Sequence, residues 1–286
     1  YMQADAYQDL IDDPTGFFMT VYLPKIFGQL ASLADMPLLP PVHEIPMVPP
    51  AVVPFGNEAV QQAFATLAEA GDEALQWGRA MGRISLQIMA RGFPSFTGGI
   101  TKAPFDLIGD SLRGTRGIMM DMFRHPDEVI EACDRLVPFM IKAGVRSCGA
   151  SGHMIPLIPL HKGADGFMSD EQFERFYWPT LKALILALID AGLTPCPFFE
   201  GGYDQRLRYL KELPAGKVMG QFDRSDLAKV KAELGDTMCI AGGMPVSLLQ
   251  AGTPETVRAE TKRIIETIGR DGGFIMSNNT VLDEAD

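Results

Sequence analysis

The sequence predicts an α/β fold, a parallel (β/α)8 barrel of the TIM type with helical and proline-rich elaboration at its N-terminal end. Two observations predict it. From Gly92 onward, short apolar runs alternate with amphipathic helical segments, the pattern of successive βα units. Each run is followed by polar or turn-forming residues, where a parallel barrel carries its loops. A length of 286 residues, with 47% hydrophobic and 21% charged, is ordinary globular usage and suits one barrel-type domain over residues 1–286.

Residues 1–91 read as the helical and proline-rich part. ADAYQDLIDDP and TGFFMTVYLPKIFGQLASL carry apolar residues at helical spacing. The proline-rich run from Met36 to Phe55 is neither regular helix nor central strand, and reads as an extended wrap, with a lid or docking loop as the alternative. Asn57 to Arg91 is helical again, with Gly71 expected to break it.

Residues 92–286 carry the βα units. FPSFTGGI precedes a helix ending near Arg113. MIPLIPL precedes SDEQFERFYWPTLKALILALIDAG, where Ser169 and Gln172 have the spacing of a capping box and Pro179 is expected to kink the helix. LTPCPFF precedes DQRLRYLKEL, and GKVMGQF precedes SDLAKVKAELG with Ser225 as its cap. TMCIAGG precedes SLLQAG and TPETVRAETKRIIETIG, where Thr253 caps and Pro254 takes the first helical position. GGFIMS closes the series. Six strands are visible, so a barrel of eight needs about two more, before Tyr1 or within residues 1–91.

Composition excludes several function classes. A net charge of −11, without a basic run interleaved with aromatics, argues against nucleic acid. Cys133, Cys148, Cys196 and Cys239 are widely spaced with no CxxC pair, and read as reduced thiols in a cytoplasmic protein. No stretch of about 18 apolar residues free of charge, proline and glycine points to a membrane. A chain that opens on Tyr1 rather than Met and ends in LDEAD, the beginning of a further helix by its composition, is expected to be part of something longer. A homodimer is also open, since soluble barrels commonly pair.

The barrel rule places function just past the carboxyl end of each strand. Those positions are Thr97 to Lys102, His161 and Lys162, Glu200 to Asp204, Gln221 to Arg224, Gly242 to Pro245, and Ser277 to Asn279. Any βα loop needs polar residues, so the competing reading is turn formation. Glu200 stands out: PCPFFEGG sets a carboxylate directly after an apolar run and before two glycines that let the backbone approach a ligand. It can ligate a metal, hold a proton or bind a cation, or merely offset a helix dipole. His161, with Lys162 beside it, is the second choice, as the only histidine at a strand end. The expected catalytic set is Glu200, His161 and Asp223. The expected substrate-binding set is Lys162, Asp204, Gln221, Gly242, Gly243, Ser277, Asn278, Asn279 and Asp110. Cys196 and Cys239 fall inside strands and read as small hydrophobes.

Three segments go beyond a generic barrel: KAPFDLIGDSLRGTRGIMMDMFRHPDEVIEACDRL, DGFMSDEQFERFYWPTLKALILALIDAGLTP and AGGMPVSLLQAGTPETVRAETKRII. They resemble the uroporphyrinogen decarboxylase superfamily, which also contains methyltransferases that pass methyl groups to and from corrinoid cofactors or coenzyme M. The likeness runs from about Gly92 to Asp286. Within it the chain is closer to the methyltransferase branch. True uroporphyrinogen decarboxylases are expected to carry a tyrosine where this chain has Asp110 and a GHG histidine where it has Thr280, and their arginine-bearing N-terminal motif finds no match. The family's zinc methyltransferases hold the metal with a His-x-Cys pair and a later Cys. Phe198, Glu200 and Thr280 stand at those positions. The resemblance implies a methyltransferase acting on a small methylated substrate, a corrinoid protein as partner, and zinc, if bound, held by Glu200 with Asp204, His161 or Asp223. A decarboxylase-like lyase using Lys102, Lys162, Arg206 and Arg224 is the first alternative, and a non-catalytic ligand-binding barrel the second.

Overall fold

The structure, a computed structural model, describes residues 2–36 and 52–282. Most of the proline-rich run and the final acidic residues lie outside them. Where the sequence reads one domain divided at residue 91, contacts group the chain into two compact units: Tyr1–Ser95 with Ser111–Ala132, and Phe96–Asp110 with Cys133–Asp286.

The first unit is helical. Short helices at Tyr7–Asp12, Pro14–Gly16 and Leu23–Ile26 lead to a long helix, Glu58–Ala90. Asp13 caps the second, accepting the N–H groups of Thr15 and Gly16 just after Pro14. Leu23, Leu30, Leu33 and Ala63 form its core, with Met19, Met36 and Leu67 packed against it. Asn57 caps the long helix, which runs through Gly71 without a break. One glycine costs only about 1 kcal/mol, too little to interrupt 33 residues of otherwise favourable sequence. Asp121 explains why Ser111–Ala132 groups with the N-terminal part. Its carboxylate is gripped by both Arg113 Nε and Nη2, at 2.5 and 2.9 Å, and accepts the Tyr7 hydroxyl at 2.9 Å.

The second unit holds a six-stranded, wholly parallel sheet in chain order: β1 (Gly99–Ile100), β2 (Pro156–Leu160), β3 (Cys196–Phe199), β4 (Met219–Phe222), β5 (Cys239–Met244) and β6 (Phe274–Asn278). All six expected strands form, but β5 and β6 each run one residue beyond the apolar run that predicted them, so Gly242, Gly243, Ser277 and Asn278, expected just past the strands, lie within them. A sheet whose spatial order follows the chain is what successive βα units produce. Among the described residues there are six strands, two fewer than an eight-stranded barrel.

Helix ends follow their local chemistry. Ser169 with Gln172, and Thr253 with Thr256, form reciprocal capping boxes, and Pro254 opens the helix Pro254–Thr267. Asp226, not Ser225, caps Leu227–Leu234 by accepting the N–H groups of Ala228 and Lys229; the Ser225 hydroxyl instead accepts the Tyr203 N–H. Pro179 has no N–H for the carbonyl of Arg175, and the chain opens into a π-helical turn, Phe173–Tyr177, before Trp178–Asp190 continues as α-helix. The helix expected over DQRLRYLKEL shrinks to Leu207–Leu210.

Cys133, Cys148 and Cys196 are buried, and all four cysteines are free. Burial pushes the Cys196 thiol up to about 12, so it packs as an uncharged group. No helix among the described residues is long and apolar enough to cross a membrane.

Candidate active site

The site lies at the carboxyl ends of β1 to β3. Side chains alternate along a strand, so Pro159 and His161 share a face, as do Phe198 and Glu200. Parallel pairing sets Pro159 beside Phe198 and Phe198 beside Gln221, so His161, Glu200 and the half-buried Gln221 fall on one face of the sheet. After Glu200 the chain must turn at once. Gly201 does this at φ +93°, a conformation that costs a side-chain-bearing residue energy.

Before this, the chain between β1 and the helix Gly114–Arg124 contributes two acids four residues apart, Asp106 and Asp110. A short α-turn, Pro104–Asp106, passes into a π-helical segment, Leu107–Leu112. Asp110 is the electrostatic centre. Lys102 Nζ lies 2.7 Å from one of its oxygens and Lys162 Nζ 2.6 Å from the other, and His161 Nδ1 approaches to 2.5 Å. Burial alone would raise its carboxyl, but the bonds from Lys102, Lys162 and His161 outweigh burial and hold it down at about 2. Asp110 is therefore a carboxylate, and the Nδ1 facing it donates. That fixes the other edge of the ring. His161 Nε2 points at Glu200 Oε1, 3.4 Å away.

The result is a chain of contacts, Lys102 and Lys162 to Asp110, to His161, to Glu200. With Nδ1 donating to Asp110, Nε2 is left to face Glu200 Oε1, where ring and carboxylate can exchange a proton. His161 and Glu200 are about one-third exposed, so a ligand can reach the outer end of this chain.

Asp106 has no exposed surface. Its carboxylate accepts the N–H of His161 at 3.1 Å, the N–H of Lys162 at 2.8 Å and the Tyr177 hydroxyl at 2.6 Å. Burial pushes it up to about 6; the Tyr177 and His161 hydrogen bonds pull the other way, and the Asp110 charge adds to the rise.

The loop after His161 and Lys162 is held from below by Arg206, which is wholly buried. Its guanidinium bonds Asp170 and the Met168 carbonyl, each at 2.7 Å, lies 3.6 Å from Asp165, and stacks over Phe173. Arg206 is thus committed to the fold rather than available to a substrate carboxylate. Arg224 is exposed beside Asp223.

The structure separates the sequence-predicted residues into two groups. Glu200, His161, Lys162 and Asp110 come together, and Lys102 joins them. Asp223, Asp204, Gly242 and Asn279 instead brace the loops. Asp223 accepts the Gly201 N–H with one oxygen, at 3.0 Å, and the Asn279 amide with the other, at 2.8 Å. Asn279 in turn accepts the Val246 N–H, and Asp204 accepts the Asp226 N–H. Gly242 and Gly243 sit at φ +123° and +109°; a Cβ on Gly242 would come within 2.6 Å of the Phe222 carbonyl. Ser277 donates to Asn278 at 3.1 Å, and Asn278 to the Thr280 carbonyl at 2.5 Å. Asp106 and Tyr177 escaped sequence reasoning. The one signal available was the four-residue spacing of Asp106 and Asp110.

The donor set does not fit a thiolate-type zinc site. Among the described residues no group of three or more His, Cys, Asp or Glu side chains gathers in ligating geometry. Beside Glu200 the structure offers the imidazole of His161, whose far nitrogen is committed to Asp110.

The sequence profile of the uroporphyrinogen decarboxylase (URO-D) family matches residues 91–279, most of the chain and all six strands. The chain belongs to the URO-D family. Among solved structures it is similar to a methyltransferase from Methanosarcina mazei, with 14% identity and a TM-score of 0.55. That likeness covers 66% of this chain and 54% of the other, so this URO-D chain spans about half the length of its structural relative. No curated protein matches.

Proposed function

We propose that this URO-D chain is a methyltransferase that moves a methyl group between a small methylated substrate and a corrinoid carried by a partner protein, with proton transfer where its relatives use thiolate zinc. The observation that carries this reading is the Asp110–His161–Glu200 chain, which ends on a carboxyl group more than a third exposed. Family membership and the structural likeness to a methyltransferase support it.

The corrinoid supplies the nucleophile that takes the methyl group. The protein's own task is the leaving group. As the bond from carbon to oxygen or nitrogen breaks, its electron pair stays on the heteroatom, which departs poorly unless protonated. The His161–Glu200 pair takes up a proton, and Glu200 delivers it to that atom. Asp110, kept ionised by Lys102 and Lys162, orients the ring through Nδ1 and stabilises it when positive. Solvent then returns a proton to the pair.

A lyase acting on a cyclic carboxylic acid is the second reading, favoured by the convergence of Lys102 and Lys162. Both ammonium groups are already bonded to Asp110, one to each oxygen, which ranks it lower. The deciding experiment incubates the protein with a reduced corrinoid protein and a panel of methoxylated and methylamine-type compounds, following the absorbance change of methylation. Substrate-dependent methylation is expected. No methylation across the panel overturns the proposal and moves the reading to the lyase.

A further inference from the structure

We propose that Asp106 is a positioning residue of this site, setting the His161 ring between Asp110 and Glu200 by fixing the backbone that carries it. The inference rests on the proton-handling role given above to His161.

Three observations converge on it. Asp106 accepts the N–H groups of two successive residues, His161 and Lys162, one with each carboxylate oxygen. The side chains of both residues reach Asp110, as does that of Lys102. Two acids four positions apart therefore grip one histidine twice, Asp106 by its main chain and Asp110 by its ring. The turn between them is π-helical, a form that recurs at functional sites.

The burial of Asp106 is also hard to explain by packing alone. A carboxyl group with no accessible surface and no cation bonded to it is costly to ionise, and an uncharged residue would fill the space more cheaply. Around it lie the Tyr177 hydroxyl, Tyr203, Cys133, Asp110, and the backbone of His161 and Lys162. Tyr177 and Tyr203 are both pushed up by burial and stay protonated donors. Gly163, next after Lys162, leaves no room for a Cβ against these two rings, so the loop seats directly on the group that holds it.

The test reads the ring directly, without substrate. The sequence has four histidines, so ¹⁵N-histidine labelling with a His161→Asn reference assigns the His161 Nδ1 proton. Held 2.5 Å from Asp110, that proton is expected to resonate downfield of the amides in the wild type. Asp106→Asn puts a donor where an N–H must be accepted, and loss of the resonance is expected from a folded variant. Tyr177→Phe, which removes one bond to Asp106 and keeps the carboxylate, is expected to weaken the resonance and carries the test if Asp106→Asn does not fold. Thr253→Ala, remote in sequence and merely structural, is expected to leave it unchanged.

A wild type lacking the resonance overturns the proposal. So does a folded Asp106→Asn that keeps it, or a Tyr177→Phe identical to wild type where Asp106→Asn fails to fold. If methyl transfer fails but the resonance behaves as expected, Asp106 still positions His161 and only the reaction changes.

Discussion

The ends of β1 to β3 and the ends of β4 to β6 look alike in sequence and are used differently. Both halves follow apolar strands with acids, amides and glycines. At the first three strands, charged side chains meet one another: Lys102, Lys162, Asp110, His161 and Glu200. At the last three, polar side chains meet mainly backbone: Asp223 takes the Gly201 N–H, Asn279 the Val246 N–H, and Gly242 permits close approach to the Phe222 carbonyl. A carboxylate whose oxygens are all occupied by fixed donors is a brace. A carboxylate left with one neighbour and a third of its surface open can do chemistry. Asp223 and Glu200 are the two cases, 23 residues apart by their numbers.

The largest stability effect is expected at the clamp beneath the first half. Arg206→Met leaves Asp165 and Asp170 without their buried cation and the Met168 carbonyl without its donor. Breaking a buried pair from one side costs about 3–5 kcal/mol, and because only Arg206 is wholly buried here the low end of that range is expected, to be read from urea denaturation. A loss well below that would show the loop after β2 to be held by something else.

Next in size is a pH effect from Asp106. Its folded-state value is raised, so its contribution to stability is fully present below its ordinary value near 3.8 and is lost as pH rises through about 6. A rise of this size corresponds to ~3 kcal/mol. The stability of Asp106→Asn relative to wild type is therefore expected to increase between pH 4 and 6 and to level off above. Asp110 has the opposite sign and a lower window, its stabilisation vanishing as pH falls from about 4 towards 2. A stability difference between wild type and Asp106→Asn that stays flat from pH 4 to 6 would contradict the assignment.

The smallest effect belongs to the second half. Thr253→Ala removes one side of a reciprocal cap on the helix between β5 and β6, and about 1 kcal/mol is expected in thermal unfolding, without change at the site.

Much of this was legible in the sequence because it is local. The six strands announced themselves as apolar runs between amphipathic segments, and the barrel rule then put His161 and Glu200 at strand ends. The capping boxes at Ser169 and Thr253 follow from three-residue spacings. What escaped depends on distant partners. Asp106 meets His161 and Tyr177 across 55 and 71 residues, so nothing beside it in the chain marks it. Asp223 reads from the sequence only as a strand-end acid, and its bond to Asn279, 56 residues on, is invisible there. Gly71 and Ser225 fail for another reason: a local preference worth about 1 kcal/mol yields to the helix around it or to the better cap next door.

The contrast between Glu200 and Asp223 is tested most directly by measuring corrinoid methylation with Glu200→Gln and Asp223→Asn in parallel, using the best substrate of the panel. Both changes remove a charge at a strand end and keep the shape. Glu200→Gln is expected to slow transfer about 10²- to 10⁴-fold, the range of a lost general acid, and Asp223→Asn by less than about 10-fold. Equal losses, or a Glu200→Gln protein as fast as wild type, would contradict the division of the sheet into a reacting half and a bracing half.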